Sequence, residues 1–566
     1  MERNAPVGSS DEINLYVRTY NSLLRSTGKV RVRAFEEAHQ FLGSSLHSGA
    51  LSPVPDISAF AYAAARLPDP MPDVALVLLG QSHELFEADG FDVRKWKVVR
   101  TRGRRRPLRW DGGARLAVFI ASASDIDDLV PILTAYQIEW NKMHARLRAT
   151  QWKDGGAVDK DRLAADLGVE RAAADTLEEA FGPRAFDAAV REIARRPLDV
   201  NVQMLAASYS QYQRAAQRWW SAVEPIYLRE ERPRRRPVYF VSSNSHAVAN
   251  LLGGWANARR EDVLAWGAEN DPELAERVRA ARASKDAVEC ASLAYFLARG
   301  FIHASKDGAR MLEVRACDAE RGLRHVSEPG HVEVDAQVVE LAKVDPAVVD
   351  ERLRVPGIER LRESDACIVN IDYPLGMAAY HLLSRVGAGV GELRGVYVMG
   401  KAATLNGRVG DVSLASVVYD EHTQNTFLFH NAFDAKDVAP WLRFGSVFDN
   451  QSALTVRSAF LQTKNYMSAF YRDGYTVLEM EAGPFLSAVY ELNHPTRVRT
   501  NEIVNVTEAP FEVGLLHYAS DTPYSRRQSL LSKALGYFGV DSTYACAVAI
   551  VRRILEREVA ALDRQS

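Results

Sequence analysis

Four stretches carry residues whose types and spacing could do chemistry. The first, Val477-Leu478-Glu479-Met480-Glu481-Ala482, sets two carboxylates between a strand-like approach and an apolar helix over 485–492. By themselves these acids suit a helix's first turn, which carries partial positive charge, and Pro484 fits an early helical position where its missing N–H is not needed. In the second, Tyr518-Ala519-Ser520-Asp521-Thr522-Pro523, Asp521 follows a strand and alone reads as an Asx-turn before Pro523. The third is a buried strand over 237–241 that meets Ser242, Ser243, Asn244 and Ser245 ahead of a helix from His246. Small polar residues there make either an anion site, because unpaired N–H groups point outward, or a plain helix cap. The fourth holds Arg100, Arg102, Arg104, Arg105, Arg106 and Arg109 within ten residues. It reads as a phosphate-binding loop, since guanidinium forks match phosphate oxygens, or as a solvated hairpin arm.

Periodicity supplies the elements that must position these groups. Residues 13–45 read as two helices, with Leu15, Tyr20, Leu23 and Leu24, then Ala34, Ala38, Phe41 and Leu42, at helical spacing. Buried strands are expected at 74–79 and 116–120. Ser124 and Asp125 cap a long helix over 126–147, on which His144 reads as a core histidine. The pattern from 159 to 223 is helical and alanine-rich, and a charged stretch at 229–236 with Pro233 marks the main boundary. Residues 260–360 are mainly helical, with 311–315 as one candidate strand. Beyond 366 strands (367–371, 395–399, 412–419, 426–430, 511–518) alternate with helices (377–386, 453–471, 541–562). This argues an α/β fold with a central mixed sheet flanked by helices over 237–566, preceded by a mainly helical α+β accessory domain over 1–230. The run Gly387-Ala388-Gly389-Val390-Gly391 follows a helix rather than a strand and lacks the spacing of a dinucleotide fingerprint.

A chain of 566 residues exceeds what one core usually supports. Hydrophobic content of 47% and charged content of 25% are those of an ordinary globular protein. The formal charge of -3 gives no overall pull toward nucleic acid or an anionic membrane. Cys290, Cys317, Cys367 and Cys546 lie far apart with no C-x-x-C and no neighbouring histidine pair, so free thiols in a reducing cytoplasm are expected and a zinc site is not. Residues 1–12 lack an apolar signal core, and no apolar run is long enough to span a bilayer. A cytoplasmic protein without metal or cofactor is the expectation.

Three blocks in this order and rough spacing resemble the nucleoside phosphorylase and nucleosidase superfamily. They are Val398-Met399-Gly400-Lys401-Ala402-Ala403-Thr404-Leu405 running to Val409-Gly410-Asp411-Val412, then Glu479 to Ala482, then Ser520-Asp521. In that superfamily a glycine turn follows one strand, "vGD" comes next, "EMEA" opens a helix and "SD" ends a later strand. Among its members the chain looks most like AMP nucleosidase, with Val369-Asn370-Ile371 and Asp420-Glu421-His422 as further counterparts. The resemblance covers residues 237–560, and its motifs begin at 366. It implies a phosphorylase-like C-terminal domain acting on a purine nucleotide or nucleoside.

What the resemblance implies residue by residue is specific. Asp521 would protonate or hydrogen-bond the purine N7 as general acid, with Ser520 beside it. Glu481 would accept the ribose 2′- and 3′-hydroxyls, Met480 would pack on the sugar, and Glu479 and Gly400 would line the site. Where phosphorylases of the superfamily hold phosphate with an arginine, this chain has Val398, and their early Gly-Asp-Pro loop is here Ser243-Asn244-Ser245. Water is therefore the expected nucleophile, with Asp372 placed to orient or deprotonate it and Lys401 to contact a nucleotide phosphate. Side chains at Ala403 and Thr404 narrow the approach that glycine allows. The leading expectation is an N-glycosidase releasing free base and ribose or ribose phosphate. The alternatives are a non-catalytic nucleotide sensor or scaffold, and a purine nucleoside phosphorylase. A homo-oligomer is implied, with 427–433 and Asp420-Glu421-His422 as contact regions.

Overall fold

Two mixed β-sheets flanked by helices carry the chain. The computed structural model describes residues 11–564 except 27, 105, 151, 153–156, 206–207, 229–234, 271, 285, 328–331, 333, 495 and 523–536. The Asx-turn reading at Pro523 and most of the expected boundary at 229–236 therefore lie outside the described residues.

The first sheet has six strands: β1 (Val30–Arg31), β2 (Leu76–Gly80), β3 (Lys97–Val99), β4 (Leu108–Trp110), β5 (Arg115–Phe119) and β6 (Asn201–Met204), in the order β1-β6-β2-β5-β4-β3. Its centre is parallel, β2 lying between β5 and β6. That is why Val77, Leu78, Leu79, Leu116, Ala117 and Val118 form continuous apolar runs, all inaccessible to solvent. β6 falls inside a stretch that reads as helical. Four residues are too few to impose a period-two pattern on the helices around them. The helix Ala123–Ala149 starts at Ser122 with a reciprocal capping box to Asp125, and its buried face runs from Ile126 to Leu147.

The second sheet has eleven strands: β7 (Pro237–Ser242), β8 (Leu323–Val326), β9 (Ala336–Glu340), β10 (Cys367–Ile371), β11 (Glu392–Thr404), β12 (Val412–Asp420), β13 (Asn425–Leu428), β14 (Val447–Thr455), β15 (Tyr475–Glu479), β16 (Ile503–Asn505) and β17 (Glu512–Asp521). Five of them close on themselves. β11 pairs β17, β17 pairs β12, β12 pairs β14, β14 pairs β15, and β15 returns to β11. β7, β10, β9 and β8 extend the sheet from the other edge of β11. The long strand β11 makes the closure possible. Its register shifts between Ala402 and Ala403, after which Ala403 and Thr404 pair antiparallel with Leu478 and Val477. A bulge bends a strand in this way. The expected glycine turn at 400–404 is thus strand, because Ala402 and Thr404 bury their side chains where a glycine loop would leave none.

Two other expectations are corrected. Residues 311–315 lie in the helix Ala309–Glu320, with Leu312 exposed rather than in a sheet. The expected helix over 453–471 begins as the buried end of β14, and only Lys464–Arg472 is α-helical. Among the described residues no helix is long and apolar enough to cross a membrane, and all four cysteines are free.

The two sheets do not have separate cores. One cluster joins Tyr16, Tyr136 and Trp140 to Leu454, Phe460, Leu461 and Leu478. Another packs Trp219 and Trp220, from the helix Tyr209–Leu228, with Phe240, Val369 and Phe485 of the second sheet's layer. Arg236, expected in an exposed linker, is buried and donates through Nε to Tyr227 O at 3.0 Å. Because apolar burial is shared in this way, heating should produce one calorimetric transition rather than two. Phe460→Ala should cost about 3–5 kcal/mol and lower that single transition as a whole. Two resolved transitions, of which the variant moves only one, would show that the halves unfold independently.

Candidate active site

The carboxylates converge at one end of the closed strand ring. Ala403 of β11 pairs with Leu478 on one side and Asp521 on the other. Glu479 and Asp521 thus flank the end of β11, their strands two spacings or about 10 Å apart. Just beyond Glu479 the chain turns at Glu481 into the helix Ala482–Asn493. The three sequence blocks meet here.

Glu479 holds the turn. Its Oε2 accepts the N–H groups of Glu481 and Ala482, each at 2.7 Å, and its Oε1 accepts the Thr455 hydroxyl. Thr455 Oγ1 in turn accepts the Gly483 N–H at 2.9 Å. The first donors of the helix are thereby satisfied. Burial pushes the Glu479 carboxyl up to about 7 against these bonds. Glu481 points elsewhere. The N–H groups of Met480 and Gly376 donate to its carboxylate, yet burial, and after it the charge of Glu479, push it up to about 8, with Arg104 opposing. Burial likewise raises Asp521 above the ordinary carboxyl range, against the pull of Ser520, Lys401 and Arg66. Ser520 Oγ lies 3.1 Å from Asp521 Oδ2. At Gly400 an added Cβ would meet nothing closer than His517 Cδ2 at 4.0 Å, so the backbone borders open space. Lys401 is exposed, and Met480 packs against the first core cluster. The motif residue Asp411 is structural, accepting the N–H groups of Arg408 (2.7 Å) and Ser446 (2.8 Å).

Apart from Lys401, the positive groups that act on these acids come from the N-terminal half. Arg104 grips Asp128 through two bonds of 3.0 and 2.7 Å, and Arg106 bridges Asp125 (2.9 Å) and Asp128 (3.0 Å). Arg104 and Arg106 are therefore not on a solvated arm, whereas Arg100 and Arg102 are exposed. Arg106 is buried, and Arg104 stands where its charge reaches Glu481. Arg66, which follows the helix Ile57–Ala64, stacks over the Tyr62 ring at 3.4 Å and acts on Asp521. A single arginine outside any motif gave no signal in the sequence.

Ser243, Asn244 and Asp372 follow the ends of β7 and β10. Ser243 Oγ donates to Asn370 Oδ1 at 2.7 Å, while Asn244 Oδ1 accepts the N–H groups of His246 (3.1 Å) and Ala247 (2.6 Å). Asn370 continues through Gln337 and His325 to Asp318, a buried polar chain in which each step is 3.2 Å or less. Asp372 is buried and its Oδ1 accepts the Tyr373 N–H at 2.9 Å. The loop that follows it returns to the main cluster, since Gly376 donates to Glu481 and Tyr373 OH lies 2.9 Å from Tyr518 OH. In the stretches expected at a subunit contact, Asp420, Glu421, Phe427, Phe429 and Phe433 are buried within the chain, His422 is half-buried, and Leu428 and His430 are exposed. A cleft of about 410 Å³ lined by Tyr209, His381, Arg385 and Arg497 lies away from the carboxylates.

A closed strand ring with paired carboxylates at one end, covered by a second α/β layer, defines the architecture. The chain belongs to a family of unknown function, DUF6909, whose match spans residues 32–556. No curated protein matches the sequence. Among solved structures the chain is similar to the Arabidopsis thaliana 5′-methylthioadenosine nucleosidase, at 10% identity and a TM-score of 0.30 over 57% of this chain and 96% of that one. It is also similar to Schistosoma mansoni uridine phosphorylase, at 13% identity and a TM-score of 0.25 over 34% of this chain and 71% of that one.

The raised Glu481 carboxyl makes a stability prediction. Folded, it keeps its proton to about pH 8, whereas the ordinary value is 4.5. The folded state therefore binds the extra proton between those limits, and the stability this contributes is complete below the lower value and lost as pH rises through the upper one. Relative to Glu481→Gln, the wild type should lose melting temperature as pH is raised from about 5 to about 9. Parallel curves for the two proteins would show that Glu481 titrates normally.

Proposed function

We propose that this protein is a purine nucleotide or nucleoside N-glycosidase that uses water to release free base and ribose or ribose phosphate. The observation that carries the reading is that Asp521 ends the strand on one side of β11 while the strand on its other side leads into the turn that carries Glu481, both carboxyls having raised pKa values. Breaking a purine N-glycosidic bond needs a proton for the leaving base and a negative partner for the charge that builds on the sugar. A half-buried carboxyl whose pKa is raised suits the first task, and Asp521 is assigned to N7. Glu481 is assigned to the ribose hydroxyls, and the positive charge that develops on the sugar favours its ionised form. Glu479 holds the turn that aims it, and Met480 packs on the sugar.

Support for water over phosphate comes from the β7 and β10 ends. The hydroxyl of Ser243 and the N–H groups of His246 and Ala247, which would hold an anion there, already have partners within the chain. Val398, where an arginine would stand, is buried. Asp372 is assigned to the attacking water. Arg66, Arg104 and Lys401 surround the carboxylates with positive charge, which suits a substrate carrying a phosphate.

The test is chromatography of protein incubated with AMP, ADP, ATP, GMP, adenosine, inosine and methylthioadenosine, with and without phosphate. Free base should appear without phosphate, and Asp521→Asn and Glu481→Ala should each lower the rate by about 10²–10⁴. A strict need for phosphate would make the reaction phosphorolysis. No base from any substrate, with one nucleotide still raising the melting temperature, would leave a nucleotide-binding module. Lys401→Ala and Arg66→Ala should raise KM for a phosphorylated substrate about 10-fold or more while leaving that for its nucleoside unchanged. Equal effects on both would remove these residues from phosphate recognition.

A further inference from the structure

Ser124, His422 and Asp420 form a connected line at the junction of the two halves. Ser124 Oγ lies 3.1 Å from His422 Nε2, and His422 Nδ1 lies 2.8 Å from Asp420 Oδ1. With the Nδ1 proton directed at Asp420, Nε2 accepts the Ser124 hydroxyl. Asp420 is fixed further by the His422 N–H (3.1 Å) and the Thr423 hydroxyl (2.8 Å). Ser124 is inaccessible to solvent, so this line does not present a nucleophile to substrate.

Its two ends instead press on the residues either side of Glu481. Ser124 Oγ also accepts the Met377 N–H at 2.9 Å, which seats the Asp372–Met377 loop on the first turn of the helix Ala123–Ala149. A Cβ at Gly376, whose φ is +51°, would lie 2.2 Å from Ser124 Oγ, so only glycine allows this approach. The N–H of that same glycine donates to the Glu481 carboxylate. At the other end, a Cβ at Gly483 would lie 2.5 Å from Asp420 Cβ. Gly483 is two residues beyond Glu481 in the turn that carries it.

We infer that Ser124, acting through His422 and Asp420, is a positioning residue for Glu481: the N-terminal half clamps the loop and the helix start that aim this carboxylate. Besides the N–H groups of Gly376 and Met480, the groups that act on Glu481 are Glu479 and Arg104. Releasing Ser124 lets Gly376 withdraw its N–H, which removes a bond to the ionised form and leaves Glu479 and Arg104 in place. The kinetic part of this inference rests on the N-glycosidase reading; the geometric part does not.

The experiment uses the full chain and two readouts. The first is the carboxylic C=O stretch of Glu481 in infrared pH titration, identified as the band absent from Glu481→Gln. Ser124→Ala should move its midpoint upward by about half a pH unit or more. The second is kcat for base release, which should fall about 10- to 100-fold with KM within about threefold. Asp420→Asn preserves size and reverses the His422 tautomer, and it covers the case in which Ser124→Ala does not fold. Loss of a negative charge alone would move a neighbouring carboxyl downward, so an upward midpoint in this variant isolates the lost hydrogen bond. Wild-type midpoint and wild-type kcat in the variants would overturn the clamp. A wild type that releases no base would sink the glycosidase reading, while the titration would still decide the clamp.

Discussion

The structure turns on a carboxylate brought out of water at the start of a helix. Moving Glu481 from solvent to the junction of two sheets costs free energy unless donors and opposite charge meet it. Those partners come from three places in the chain. Glu479 and Thr455 close the helix start, the loop after β10 sends Gly376, and the N-terminal half brings Arg104. Even so, burial wins, and the carboxyl keeps its proton into the neutral range. A group that is reluctant to ionise when alone, yet is ringed by donors, gains most when a positive charge forms beside it.

The docking of the two halves follows from the same need. Arg104, Arg106, Asp125 and Asp128 form a compact cluster, with only Arg104 appreciably exposed. Buried ion pairs of this kind add little net stability, but removing one partner strands the other. All four residues belong to the N-terminal half, so the cluster fixes where Arg104 stands, while the shared apolar core holds that half against the second sheet. A hinge between the halves would have to expose Phe460 and Leu461 and break the bonds of Ser124 to His422 and Met377 together.

The β7 and β10 ends show how one sheet can be refitted. In place of an open anion loop stands a run of amides and hydroxyls, Ser243, Asn370 and Gln337, leading to His325 and Asp318. Each group there has its partner inside the protein, and burial raises Asp318 to about 7. Such a network rigidifies the strand ends as long as all its members remain bonded. It supports the proposed site from behind without offering it an ion.

Much of the local framework was legible in the sequence, and the reason is that it is local. Apolar runs marked β2, β5 and β10, and helical spacing marked the first two helices and the one over Ala123–Ala149. The sequence of types at 477–485 was enough to place two acids where a strand becomes a helix. Which of them caps and which faces inward was not legible, because both readings satisfy the same pattern. The end of β14, 453–455, reads as the start of a helix because Ala453 and Leu454 carry no strand preference of their own; pairing with β12 and β15 decides it. The closure of five strands into a ring depends on the register shift between β11 and β17, where Ser520 is the extra residue, and no residue type announces that. Arg66, Ser124 and His422 took their places through contacts between residues far apart in the chain, 298 positions in the case of Ser124 and His422. The sequence by itself thus determined the elements and the acids they carry, through steric and hydrophobic preferences that act over a few residues. Only the tertiary structure decided which charges face those acids, because Coulombic and hydrogen-bond partners are chosen by distance in space.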